Sequence, residues 1–315
     1  MTARPEKLMR EVLISAIGDL MEEDDSIFFL SADMGAPSLD RIREDYTDRF
    51  INVGISEQNM INVAAGLAME GYTVYTYAIA SFYLRALDQI RINLALPSQL
   101  RDMNVNMLAL GAGISYDVSG PTHHALEDIS MMRTMPNILT ISPGDWVTAQ
   151  SLVEFVPEQP CPKYFRLDGK AQPALYDGDN MPDFTKGFTH LKTGNRLCFV
   201  STGVMVHQAL AIAESFADDV GVVDLFMLDR ADDDTLADTL ASYSTVITLE
   251  EGFLGRGGLD AYISLLISAK ELDCRHQGYG LPNAFDFTPG SRFKLHEANG
   301  FGGTQITEAV RAMLS

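Results

Sequence analysis

Cysteine is scarce in this 315-residue chain. Its three residues, Cys161, Cys198 and Cys274, are too scattered for a disulfide framework or a metal cluster, and read as reduced structural thiols. Long apolar runs are missing too. None reaches the roughly 18 residues that a membrane span needs, and the N-terminal stretch Met1 to Arg10 lacks the apolar core of a secretory signal, so a cytoplasmic protein without a membrane partner is expected. Positive charge is in deficit: 23 Lys and Arg against 43 Asp and Glu give a formal net charge of −20. That excludes nucleic acid as a partner, because phosphate-backbone binding needs a basic surface. The glycine-rich pieces Gly111-Ala-Gly113 and Gly252 to Gly258 do not make G-x-G-x-x-G after a strand with a downstream acid, which argues against a nicotinamide dinucleotide. There is no internal repeat, and the acidic stretch Asp229 to Asp234 reads as a solvated helix N-terminus.

What is present describes an ordinary globular chain, 46% hydrophobic and 21% charged, long enough for two domains that each bury a core. Apolar residues at Leu8, Val12, Leu13, Ala16, Ile17 and Leu20 have the spacing of an amphipathic helix over 7–21. Short apolar runs at 26–31, 72–78, 105–110 and 137–142 read as strands, each followed by a helical or loop segment. That alternation predicts a parallel sheet with helices on both faces and functional residues at the strand C-terminal ends. A polar, Pro- and Gly-containing stretch at 171–185 interrupts the pattern and reads as a linker. Strands at 197–202, 220–225 and 244–250 and helices at 204–216 and from 257 then make a second, smaller unit. The expected fold is α/β, with two parallel-sheet domains at 1–170 and 186–315.

The most informative segment is Asn52-Val-Gly-Ile-Ser-Glu-Gln-Asn-Met-Ile-Asn62. It runs from an extended approach through Gly54 into a small-residue helix, with Ser56 as the expected cap and Glu57 in the first turn. A lone glutamate there is ordinarily a favourable partner of the helix dipole. Further motifs accompany it: Ala32-Asp-Met-Gly35, Ser81-Phe-Tyr-Leu-Arg-Ala-Leu-Asp-Gln-Ile90, and Ser119-Gly-Pro-Thr-His-His124. Together they resemble the transketolase family of thiamine-diphosphate enzymes: the pyrimidine-binding domain up to about 170, then the family's C-terminal domain.

The resemblance implies roles for named residues. Glu57 would donate a hydrogen bond to N1′ of the cofactor's aminopyrimidine, Phe82 would pack on the ring, and Asp33 and Ile55 would line the cofactor. His123 would hydrogen-bond substrate oxygens with His124 in support, and Arg166 in Lys163-Tyr-Phe-Arg-Leu would hold a substrate phosphate. Arg85 would supply a second positive group near cofactor and substrate. Ser119 stands where the family usually has an aspartate that reads a sugar hydroxyl, which weakens the assignment to ordinary sugar phosphates. The G-D-G…N motif that binds Mg²⁺ and diphosphate is not found; Gly144-Asp145 and Gly178-Asp179-Asn180 do not fit it.

The resemblance thus implies half of a split transketolase. A separate N-terminal subunit would carry the Mg²⁺ ligands and the diphosphate domain, and the two would associate as an α2β2 assembly that passes a two-carbon ketol unit from a ketose, phosphorylated or modified, to an aldehyde. The alternatives are a 1-deoxyxylulose-5-phosphate-synthase-like enzyme, the β subunit of a 2-oxoacid dehydrogenase first component, and a non-catalytic assembly subunit.

Overall fold

The computed structural model describes residues 5–178 and 180–315. Six short segments, β1 (Ile27–Ser31), β2 (Phe50–Asn52), β3 (Thr73–Ile79), β4 (Val105–Leu110), β5 (Leu139–Ile141) and β6 (Lys163–Leu167), form an all-parallel sheet in the order β2-β1-β3-β4-β6-β5. Both faces are covered. Phe29, Tyr75, Tyr77 and Phe165 pack with Leu13, Ile17 and Leu152 on one side, and Leu30, Val74 and Met107 with Met60, Ile61 and Ala64 on the other. A strand buried on both faces reads as a continuous apolar run, which is why β1, β3, β4 and β5 were visible in the sequence. β2 is a half-exposed edge and β6 carries Lys163 and Arg166, and neither was read as a strand.

The register aligns the strand ends. Ser31 pairs with Asn52 and Tyr77, Ile79 with Leu110, and Leu110 with Leu167. Every loop leaving a strand C-terminus therefore opens onto one rim.

The second sheet joins β7 (Phe188–Lys192), β8 (Leu197–Ser201), β9 (Val220–Leu225), β10 (Thr245–Phe253) and β11 (Arg275–Leu281) in the order β11-β10-β8-β9-β7. It is mixed rather than wholly parallel, because β7 runs antiparallel to β9 with a bulge at Val222/Val223. This edge strand buries only Phe188 fully, so its sequence carries little strand signal.

Three expectations are refined. The first helix is Met9–Glu23, and its buried face is Met9, Leu13, Ile14, Ile17, Gly18 and Met21. Leu8, Val12, Ala16 and Leu20 are only half-buried; the helix packs against helices Pro37–Asp45 and Trp146–Phe155. The expected linker is a packed strap: Gln172–Pro173 pairs antiparallel with Glu6–Lys7, and Leu175 and Tyr176 bury against Val206. Asp179 within it lies outside the described residues. Asp229 is not a solvated helix end, for its carboxylate accepts the Thr140 amide of the first domain at 3.2 Å; Asp232 is the cap, accepting Thr235 N at 3.0 Å.

The domains are joined by backbone as well as side chains. Ser142 N donates to Phe226 O (2.8 Å), Leu228 N to Thr140 O (3.0 Å), and Arg133 Nη1 to the carbonyls of Gly257 and Gly258 (2.7 and 2.8 Å). All three cysteines are free thiols. Among the described residues no helix is long and apolar enough to cross a membrane.

Candidate active site

The rim at the strand ends collects most of the residues singled out in the sequence. Two residues beyond the end of β1 lies Asp33, which adopts a left-handed φ of 57°. The strain is offset by a reciprocal pair with Asn52 at the end of β2: Asp33 N donates to Asn52 Oδ1, and Asn52 Nδ2 donates to Asp33 Oδ1, each at 3.1 Å. Asn52 Oδ1 also accepts Gly54 N at 2.9 Å, and Gly54 turns the chain with φ 75°. Ile55 then projects outward, 74% exposed. Ser56 occupies the N-cap position, but its side chain makes no capping hydrogen bond, contrary to expectation. Glu57 begins helix Glu57–Met69 and is only 4% exposed.

From the end of β3 come Phe82 and Arg85. Arg85 Nη1 lies 3.5 Å from Glu57 Oε2, and its guanidinium stacks 4.7 Å from the centre of the Phe82 ring. Phe82 in turn lies 5.4 Å from the His123 ring. His123 comes from the β4–β5 connection, with Nδ1 3.0 Å from Thr122 Oγ1. Ser119 is exposed at the end of the 3-10 turn Asp117–Ser119 in the same connection. The row Glu57–Arg85–Phe82–His123 thus joins three loops on one open face: a buried carboxyl, a cation, an aromatic face and an imidazole. A concavity of about 680 Å³ lined by Leu87, Arg91, Leu96, Gln99 and Met135 includes none of these four.

Arg166 is not part of this row. It is 3% exposed on β6, and its Nε donates to Asp128 Oδ2 (2.9 Å) while Nη2 donates to Ala125 O (3.0 Å) and Glu251 O (2.9 Å). Burial alone would weaken its hold on the proton, but the Asp128 carboxylate prevails and raises its pKa. A guanidinium enclosed in this way holds two domains together and is not presented to a substrate phosphate. The partly exposed cation that leaves the same strand is Lys170, whose Nζ contacts Asp117 Oδ2. His124 is buried, and desolvation lowers its pKa. Asp145 caps helix Trp146–Phe155 through Thr148 N (2.8 Å), and its other oxygen accepts Leu175 N and Tyr176 N, so Gly144-Asp145 is a structural corner. Among the described residues no three His, Cys, Asp or Glu side chains are grouped as a metal centre.

Residues 6–171 match the model of the transketolase pyrimidine binding domain, and residues 188–306 that of the transketolase C-terminal domain. The chain belongs to the transketolase family. It is 26% identical over 275 residues to an apulose-4-phosphate transketolase subunit of Actinobacillus succinogenes, covering 86% of each chain. It is 32% identical over 215 residues to the 6-deoxy-6-sulfo-D-fructose transketolase subunit SqwH of Clostridium sp. (strain MSTE9), covering 67% of this chain and 65% of the relative. Among solved structures, a split-gene transketolase, an inactive β4 tetramer, superposes with a TM-score of 0.84 at 27% identity over 98% of both chains. This transketolase chain is accordingly a C-terminal subunit of a split, thiamine-diphosphate-dependent transketolase-like enzyme.

Two features of the transketolase rim were not singled out in the sequence. Tyr116 lies edge-on to His123 with ring centroids 6.3 Å apart, and burial raises its hydroxyl pKa. Its one sequence signal is its place just beyond Gly111 and Gly113. Lys170 follows a strand whose more conspicuous cation is Arg166, and nothing in the spacing ranks the two.

Proposed function

We propose that Glu57, Phe82 and Ile55 receive the pyrimidine ring of thiamine diphosphate, and that His123, Ser119 and Arg85 face the sugar substrate. The observation that carries this reading is the juxtaposition of a nearly buried carboxyl with a half-exposed aromatic face on one open rim. That donor set suits a flat heteroaromatic ring with a hydrogen-bonding edge. Thiamine diphosphate, when bound, would supply a carbon nucleophile for a ketose carbonyl. Glu57 holds the ring edge through its carboxyl, and Phe82 fixes the ring plane. His123 donates toward the substrate oxygen on which negative charge develops. Asp33, tied to Asn52, fixes the turn from which Ile55 and Glu57 project.

The Mg²⁺ ligands and the diphosphate site belong, in this reading, to a separate N-terminal subunit in an α2β2 assembly. It is supported by the subunit names of the relatives and by the open face that the rim presents. The donor is a ketose phosphate or a modified ketose, and the acceptor an aldehyde. Glu57→Gln in the assembled enzyme tests the site. Glutamine keeps the shape but has no acid proton, so hydrogen–deuterium exchange at the thiazolium carbon should slow at least about a hundredfold. An exchange rate within a few-fold of wild type removes Glu57 from the mechanism.

A further inference from the structure

The C-terminal domain reaches into the loop that carries His123. The contacts converge on segment 112–118, which follows β4. Glu251 on β10 accepts Ile114 N through Oε2 at 3.0 Å. Arg292, the first residue of helix Arg292–Ala298, donates its backbone amide to Asp117 Oδ2 (2.7 Å) and approaches Ala112 O through Nη2 (3.4 Å). Asp117 Oδ1 accepts Val118 N at 2.8 Å, and Lys170 Nζ reaches Oδ2.

Behind these contacts lies a closed network. Arg292 donates Nε to Glu251 Oε1 (2.7 Å) and Nη2 to Glu251 Oε2 (2.8 Å) and Asp168 Oδ2 (2.6 Å), while His296 Nε2 sits 2.5 Å from Glu251 Oε1. Glu251, Asp168, Asp117, Arg292 and His296 are all buried. Burial alone would raise the Glu251 carboxyl, but Arg292 and His296 hold it well below the usual range. The approach is close enough that only glycine fits at 113: a Cβ there, at φ 58°, would overlap the Glu251 side chain. The far end of the loop returns to the same place, since Ala125 N bonds Gly113 O at 2.8 Å and Arg166 ties Ala125 O to Glu251 O.

We propose that Arg292 and Glu251 are positioning residues: Glu251 through Ile114 N, and the Arg292 side chain by clamping Glu251 and approaching Ala112 O, set the conformation of the 111–124 loop, and so the placement of Tyr116, Ser119 and His123 toward the substrate. The Arg292 backbone amide on Asp117 is a further anchor that side-chain substitutions leave in place. Neither residue touches the row of site side chains. Glu57 and Phe82 are held by other elements, the turn after β2 and the helical segment after β3. Loosening the loop therefore weakens substrate engagement while the pyrimidine contacts persist. The substrate part of this inference rests on the proposed function; the mechanical part does not.

The experiment compares Arg292→Ala, Arg292→Lys and Glu251→Gln in the full chain by amide hydrogen exchange. Amides of 114–123 should exchange about tenfold faster or more in Arg292→Ala, those of β4 and of helix Glu57–Met69 should be unchanged, and Arg292→Lys should be intermediate because it keeps the charge but loses the fork. Where Arg292→Ala fails to fold, Arg292→Lys and Glu251→Gln carry the same comparison. In the assembled enzyme KM for the ketose should rise about tenfold, with thiamine diphosphate affinity within about twofold of wild type. Unaltered loop exchange, or acceleration spread equally through β4, overturns the positioning role whatever the chain catalyses. A localised acceleration with KM unchanged shows that the loop is held but does not serve the substrate, which also overturns the proposal.

Discussion

Replacing Arg166 with alanine separates the geometric from the motif-based view of that residue. The substitution removes three hydrogen bonds, to Asp128 Oδ2, Ala125 O and Glu251 O. It also leaves the fully buried Asp128 carboxylate with the Tyr164 hydroxyl at 3.2 Å, while Asp128 Oδ1 has no partner among the described residues. Removing one member of a buried ion pair costs about 3–5 kcal/mol, because the surviving charge is neither solvated nor neutralised. For a domain of this size each kcal/mol corresponds to about 2–4 °C, so the melting temperature should fall by roughly 6–20 °C. Thermal unfolding of the full chain followed by circular dichroism measures this. Making Asp128→Asn alongside Arg166→Met should recover part of the loss, since neither partner is then an isolated charge. In the assembled enzyme the KM for phosphorylated and neutral ketoses should change alike. A melting temperature within about 2 °C of wild type, with KM raised for phosphorylated donors alone, would refute the reasoning and return Arg166 to the substrate.

Two other outcomes follow from the same contacts. Burial pushes the Asp224 carboxyl up to about 8, with the Tyr176 hydroxyl at 2.8 Å opposing the rise and the Asp145 charge adding to it. A carboxyl whose folded pKa exceeds its unfolded value of about 3.9 keeps a proton that the unfolded chain has lost, so stability falls as pH rises from about 4 to 8. Asp224→Asn should match wild type near pH 4 and be the more stable form at pH 9, by on the order of a few kcal/mol; a gap independent of pH would count against this. At Ser119, a charge-assisted hydrogen bond to a sugar hydroxyl, worth about 1.5–3 kcal/mol, is available to aspartate but not to serine. Ser119→Asp should therefore raise kcat/KM for xylulose 5-phosphate relative to deoxy- and branched-sugar analogues by roughly tenfold or more, and identical ratios in both forms would show that position 119 does not set specificity.

The sequence disclosed what burial dictates locally. β1, β3 and β4 are covered on both faces, so their apolar runs mark them unaided, and the loops at their ends are where a parallel sheet places function. Glu57, Phe82 and His123, the residues proposed for the site, could be placed on the rim from the sequence because their motifs fall at those ends. β7 was not, since an edge strand with one fully buried residue carries almost no pattern. The junction was illegible for a different reason: Asp117, Asp168, Glu251 and Arg292 are far apart in the chain, and no periodicity relates them. Arg166 was placed in the site because its motif names a cation, whereas its burial on β6 depends on Asp128 and Glu251, which only the folded chain brings to it.

These placements bear on how an acidic protein would receive the phosphorylated sugar proposed as its substrate. With a formal charge of −20, the surface repels phosphate on approach, so binding depends on cations local to the rim. Arg166 and Arg292 cannot serve, because both are buried against carboxylates that would otherwise stand uncompensated between the domains. Arg85 and Lys170 remain partly exposed at the strand ends, and each already contacts an acid, Glu57 and Asp117 respectively. An anion arriving at either cation competes with a carboxylate rather than filling an unpaired site, which favours ligands of higher charge. The two acids it competes with are the one proposed to hold the pyrimidine ring and the one that holds the His123 loop. On the proposed reading, charge on the substrate would thereby be coupled to both halves of the site through the Arg85–Glu57 and Lys170–Asp117 pairs.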